Sequence, residues 1–188
     1  MIFSYGFLEH EVDNARQLFL GLEIPDDDPL KPAKHAVCDE APGVRLFLVQ
    51  ESSTVNWESL FVWWACVNEE DGLEFRVLQS NDGERELKVF WKEKDIASSE
   101  QLLDAIKQDA MWDILQLRAN MLIQARVETQ LAKLQESQAY VEEWRKVGID
   151  GQQIREQVWN MAMKLRELEG EFFTRAMQGL EDKVRELQ

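Results

Sequence analysis

From Ser98 to Gln188 the chain contains no proline, is rich in charge, and places apolar residues three or four positions apart. That spacing is the period of an amphipathic helix and excludes a sheet as the main architecture of this half. Ser98-Ser99-Glu100-Gln101 offers an N-cap with a Gln three residues on. Leu102, Leu103, Ile106, Ala110, Ile114 and Leu117 mark a first apolar face, and Met121, Leu122, Ala125, Leu131, Leu134, Val141 and Trp144 continue apolar positions through a second segment. Gly148 and Asp150-Gly151 break the pattern, and Asp150 is a good N-cap for a last helix. In that helix Ile154, Val158, Met161, Leu165, Leu168, Phe172, Ala176, Leu180, Val184 and Leu187 keep the three-or-four step. Unbroken, it spans ~55 Å at ~1.5 Å per residue. Such a length needs a long antiparallel neighbour, so a helical hairpin with residues near 118–147 is predicted.

The first half has a different texture. All four prolines and both histidines lie before residue 51. Gln17–Ile24 has the length of a strand and is stopped by Pro25-Asp26-Asp27-Asp28-Pro29. Lys31–Val37 reads as one or two helical turns, and Arg45–Val49 is too short for periodicity to separate helix from strand. Trp57–Val67 is continuously apolar and belongs to the core as helix or strand. Leu73–Leu78 and Glu86–Trp91 alternate apolar and polar around Asn81-Asp82-Gly83, which predicts a two-stranded ribbon. The fold class expected is mainly α: a long antiparallel helical hairpin and further helices with a small β-hairpin. By texture the chain has three zones, about 1–50, about 51–97 and 98–188.

Composition narrows the functional classes. Against 21 Lys+Arg stand 36 Asp+Glu, a formal charge of −15, which disfavours nucleic acid or an anionic membrane and suits a basic partner. No run approaches the ~18 apolar residues of a membrane span, and the N-terminus has no basic, apolar signal-peptide pattern, so a soluble chain is expected. Cys38 and Cys66 lie far apart without metal-ligand spacing, which fits a reducing cytoplasmic or nuclear setting. Neither GxGxxG nor GK[ST] can be written, and no GxSxG elbow occurs. His10 and His35 are read as structural or surface residues. The acidic runs Glu69-Glu70-Asp71 and Asp26-Asp27-Asp28 lack the ligand spacing of a calcium loop and are expected to be solvated. Trp63-Trp64 is read as core rather than as a cation cage, because neighbouring side chains diverge. Met161, Met163 and Met177 are likewise assigned to the core. Phe172-Phe173 gives the last helix a route to a homodimer, although an intramolecular hairpin is the first reading.

Ser4-Tyr5-Gly6-Phe7-Leu8-Glu9, followed by Gln17–Ile24 and the acidic proline turn, resembles the end of a SET domain of the Rubisco LSMT-like protein-lysine methyltransferases. Asn56–Phe75 looks like fungal members of that group. The resemblance covers almost the whole chain and implies that residues 1–24 close a SET core, followed by an irregular and helical segment with the β-hairpin at 25–97 and a long helical substrate-binding region at 98–188. It implies an S-adenosylmethionine-dependent transfer of methyl to a protein lysine in a full-length enzyme, with Tyr5 lining the lysine channel. The family's Asn-His pair is absent, since Glu9 precedes His10 and Lys34 precedes His35, and so is its glycine-rich cofactor strand. No cofactor site is therefore expected in this chain, which by itself would not be catalytic. Met1-Ile2-Phe3 would end a helix packed on an upstream SET domain. The expected partner is a basic protein substrate, such as a ribosomal or translation protein. The alternative is a free-standing helical interaction or dimerisation module.

Overall fold

The computed structural model describes residues 17–49, 54–79, 82–148 and 154–188. Within them are six strands and six α-helices. Strands β1 (Gln17–Gly21), β2 (Gly43–Leu48) and β3 (Val55–Glu58) form one sheet in the order β1-β2-β3. Strands β4 (Leu73–Gln79), β5 (Arg85–Trp91) and β6 (Lys94–Ile96) form a second, in the order β4-β5-β6. The helices are α1 (Lys31–Val37), α2 (Phe61–Cys66), α3 (Ser99–Lys107), α4 (Trp112–Glu136), α5 (Gln138–Val147) and α6 (Glu156–Glu186). Helix dominates, as the periodicity requires. The chain divides into two compact units: one of residues 17–18, 46–49, 54–56, 124–148 and 154–182, the other of 19–45, 57–79, 82–123 and 183–188.

The second unit holds most of the buried apolar residues. Every residue of α2 is buried, as is Val67 after it, so the Trp57–Val67 run is strand β3 at its start and a core helix at its end. The predicted ribbon pairs antiparallel from Leu73 opposite Trp91 to Gln79 opposite Arg85. Asn81 of its turn lies outside the described residues; Gly83 has φ +87°. A third strand, β6, was not expected. It is joined to β5 through Lys92 and Glu93, which take φ +47° and +70°. Tight hairpins of this kind favour Asn-Gly, so Lys-Glu gave no turn signal. Gly72 has φ +103° and lets the 3-10 turn Glu69–Asp71 run straight into β4.

Ser98 caps α3 through its hydroxyl, which accepts from the Gln101 amide at 3.3 Å, and the Gln101 side chain accepts from the Ala97 amide at 2.9 Å. The expected cap is therefore present, with the return bond one residue earlier. In α4 the buried stripe is Leu115, Ala119, Ile123 and Val127. This corrects the predicted face, since Ile114 and Met121 are exposed. Apolar residues lie on several sides of α4, and only the packing selects one.

In the first unit α4 and α5 meet α6 antiparallel: Leu134 Cδ1 lies 3.9 Å from where a Cβ on Gly170 would sit, and Arg166 donates to Ser137 Oγ at 2.9 Å. Arg166 also donates to the Leu134 carbonyl, where the chain turns from α4 into α5. The uninterrupted segment expected up to residue 147 is thus two helices. Gly148 ends α5 with φ +81° while its N–H reaches the Trp144 carbonyl at 2.9 Å. Asp150, the predicted cap, lies outside the described residues. Helix α6 begins at Glu156 and runs for 31 residues, about 46 Å rather than 55 Å. It buries Leu168, Phe172, Phe173, Ala176 and Leu180, so the phenylalanine pair packs inside the fold and is not a dimer contact. Its N-terminal turns leave Val158 and Met161 exposed, which corrects the assignment of Met161 to the core.

Candidate functional site

Tyr5 and His10 lie outside the described residues. His35 is exposed, with its ring 6.4 Å from that of Phe61. The Trp63-Trp64 pair is core, as expected. Trp64 Nε1 donates to Ser99 Oγ at 2.9 Å, while Trp63 lies against Trp57 and Trp112, with ring centroids 5.8 and 5.2 Å away.

The acidic runs are not simply solvated. Asp71 is buried, accepts from Arg118 Nη1 at 2.7 Å and takes the Asn68 amide at 2.8 Å. The Asp28 carboxylate is held out of solvent in an ion pair with Lys34, and Asp26 pairs with Lys31 at 2.6 Å. Lys34 is the more unusual group, with no exposed surface. Its three N–H donors reach Asp28, the Val67 carbonyl at 2.6 Å and Asn68 Oδ1 at 3.4 Å. All three are spoken for, so this lysine clamps the core and is not a nucleophile. Burial pushes the Cys66 thiol up to about 12 and raises that of Cys38 as well; both cysteines are free. Neither thiol is activated. Among the described residues no cluster of His, Cys, Asp or Glu is arranged to hold a metal ion.

The candidate site is a cavity of about 720 Å³ in the second unit. Strand β3 brings Trp57 and Glu58, the turn after it Ser59 and Leu60, and α2 brings Trp63. Helix α3 contributes Glu100, Leu103 and Lys107, α4 Gln116 and Asn120, and the chain end Lys183, Glu186 and Leu187. The Trp57 ring is fixed by its Nε1, which donates to Asn120 Oδ1 at 2.9 Å; Asn120 in turn donates to the Gln116 carbonyl at 2.8 Å. Asn120 is 4% exposed, and this pairing is what makes its burial tolerable. Ser59 Oγ donates to the Gly43 carbonyl at 2.7 Å and accepts from the Val62 amide at 3.0 Å, which holds the turn that brings Ser59 and Leu60 into the lining.

The lining therefore combines the apolar Trp57, Leu60, Trp63, Leu103 and Leu187 with three carboxylates, Glu58, Glu100 and Glu186, and two ammonium groups, Lys107 and Lys183. Burial lowers the Lys183 ammonium, opposed by the Glu186 carboxylate. Glu58 is shared with Arg45, an exposed ion pair. Chemically, the apolar side chains can contact an alkyl stem and the carboxylates can pair with a cation, offset in part by Lys107 and Lys183. Reading the sequence placed Trp57 and Trp63 in the core but did not find the site. The one signal available was Asn120, a polar residue among the apolar positions of α4.

A second, open groove of about 1000 Å³ lies in the first unit along Leu131, Leu134, Met163, Arg166 and Gly170. Among the described residues no helix is long and apolar enough to cross a membrane. No family model, no curated protein and no solved structure matches this chain.

Proposed function

We propose that this chain is a recognition module for a basic protein segment, acting as the substrate-binding region of a SET-type protein-lysine methyltransferase and not catalytic alone. The observation that carries the reading is the cavity lined by Trp57 and Trp63 together with Glu58, Glu100 and Glu186, whose three carboxylates outnumber the two lysines, Lys107 and Lys183, in the same lining. The excess of 36 acidic over 21 basic residues supports it, because long-range attraction raises the encounter rate with a cationic partner. The resemblance of residues 4–29 to the end of a SET core supplies the enzymatic context, in which S-adenosylmethionine would be bound by a longer protein.

Titration of a lysine-rich peptide into the full chain, followed by tryptophan fluorescence, tests the reading. Binding is expected to weaken from low to high salt, and the Glu100→Gln/Glu186→Gln variant should bind at least several-fold more weakly. The exposed control Glu69→Gln/Glu70→Gln should lose little. Equal losses in the two variants would reduce the interaction to net charge and remove the cavity from it.

A further inference from the structure

Helix α5 exposes Tyr140, Trp144 and Val147, at 62%, 44% and 62% of their surface. Steps of four and three residues put them on one face of a helix about 15 Å long. Val141, a quarter-turn from that row, is buried, so α5 is seated on its own fold by a different side. A row with two aromatic residues has the composition of an interface core. We propose that it is the contact through which two copies of this chain pair, their α5 helices antiparallel about a twofold axis near Trp144. This pairing is independent of the recognition reading above.

Charge selects the occupant and the direction. The chain carries −15 overall, yet α5 balances Glu142 and Glu143 with Arg145 and Lys146. The row therefore sits on a helix of no net charge, where two acidic copies can approach. At 100° per residue, Glu143 and Lys146 both fall on the flank away from Val141, about 70° and 130° from the centre of the row. In an antiparallel twofold pair each flank meets the same flank of its mate. Glu143 of one copy then meets Lys146 of the other, twice per dimer, with Tyr140 over Val147 and Trp144 over Trp144. A parallel pair would instead bring this flank against the Val141 side, which is already covered. Three side chains on so short a helix bury less than the ~800 Å² per partner of a standard interface. The dimer therefore depends on concentration rather than being permanent.

Analytical ultracentrifugation of the full chain over a concentration series tests the pairing. The unsubstituted chain is expected to show a monomer–dimer equilibrium, lost in Trp144→Glu. Glu143→Lys and Lys146→Glu should each weaken association about tenfold, since two exposed ion pairs worth up to roughly fivefold each become repulsive. An equimolar mixture of these two variants should restore association, because in the mixed pair the lysine introduced at position 143 of one copy faces the glutamate introduced at position 146 of the other, while the native Lys146 of the first faces the native Glu143 of the second, so both contacts are again between opposite charges. Circular dichroism verifies the fold of each variant, and if Trp144→Glu does not fold the charge-exchange arms stand alone. A chain that stays monomeric at its highest soluble concentration overturns the proposal. So does a dimer indifferent to Trp144→Glu, or a mixture that fails to restore.

Discussion

Replacing Lys34 by methionine isolates the energetic role of its charge, because methionine keeps most of the stem and removes the ammonium. In the native fold the ammonium is fully buried and its donors go to Asp28, the Val67 carbonyl and Asn68 Oδ1. Without it, Asp28 keeps only the Leu30 amide at 2.8 Å, and the Asp28 side chain is 5% exposed. Removing one partner of a buried ion pair typically costs about 3–5 kcal/mol, because the remaining charge is uncompensated. Against a total stability of ~5–15 kcal/mol this is a large fraction. For a chain of this size it corresponds to a fall in Tm of roughly 6–20 °C. Urea unfolding followed by tryptophan fluorescence measures it, with Asp28→Asn added to complete a double-mutant cycle. The double variant should lose clearly less than the sum of the single losses, since the substituted amide carries no stranded charge. A loss below about 1 kcal/mol at unchanged m-value, or strict additivity, would refute the account of Lys34 as a buried clamp.

Two helical glycines should respond with opposite sign. A Cβ on Gly170 meets only Leu134 Cδ1 at 3.9 Å, so Gly170→Ala should stabilise by about 0.5–1 kcal/mol through helix propensity. A Cβ on Gly179 would lie 2.9 Å from the Val55 carbonyl oxygen, so Gly179→Ala should destabilise despite the same propensity gain; thermal unfolding of the pair decides. A thiol reagent at mildly alkaline pH should leave Cys66 unmodified in the native chain and label it in denaturant, because burial holds its pKa near 12. Rapid native labelling of Cys66 would contradict its packing in α2. The hydrogen bond from Lys92, opposed by burial, holds Asp109 below the ordinary carboxylate range, and their ion pair is 2.5 Å long. A depressed native pKa contributes stability that is complete above the unfolded value of ~3.9 and is lost as pH falls through the native one. The stability gap between the unsubstituted chain and Asp109→Asn should therefore be constant near neutrality and shrink only below about pH 4.

Local physics was legible in the residues themselves. The Ser98 cap, the Leu73–Trp91 ribbon, the Gly148 break and the helical second half all rest on interactions within a few positions of sequence, where spacing and backbone preference decide. The helix at Lys31–Val37 and the strand opening at Gln17 were found for the same reason, although the strand ends at Gly21 and not at Ile24. What the tertiary structure alone decided depends on partners far along the chain. Which apolar positions of α4 face inward is chosen by the surfaces it meets, and Leu115, Ala119, Ile123 and Val127 prevailed over equally apolar alternatives. Asp28 and Asp71 read as surface acids until the fold supplied Lys34 and Arg118. The cavity is assembled from β3, α2, α3, α4 and the chain end, and no spacing rule links Trp57 to Asn120 or Leu187. Composition and period determined that this chain is mainly helical and acidic. Burial, which depends on the whole fold at once, decided which of its charges are structural and which remain available to a partner.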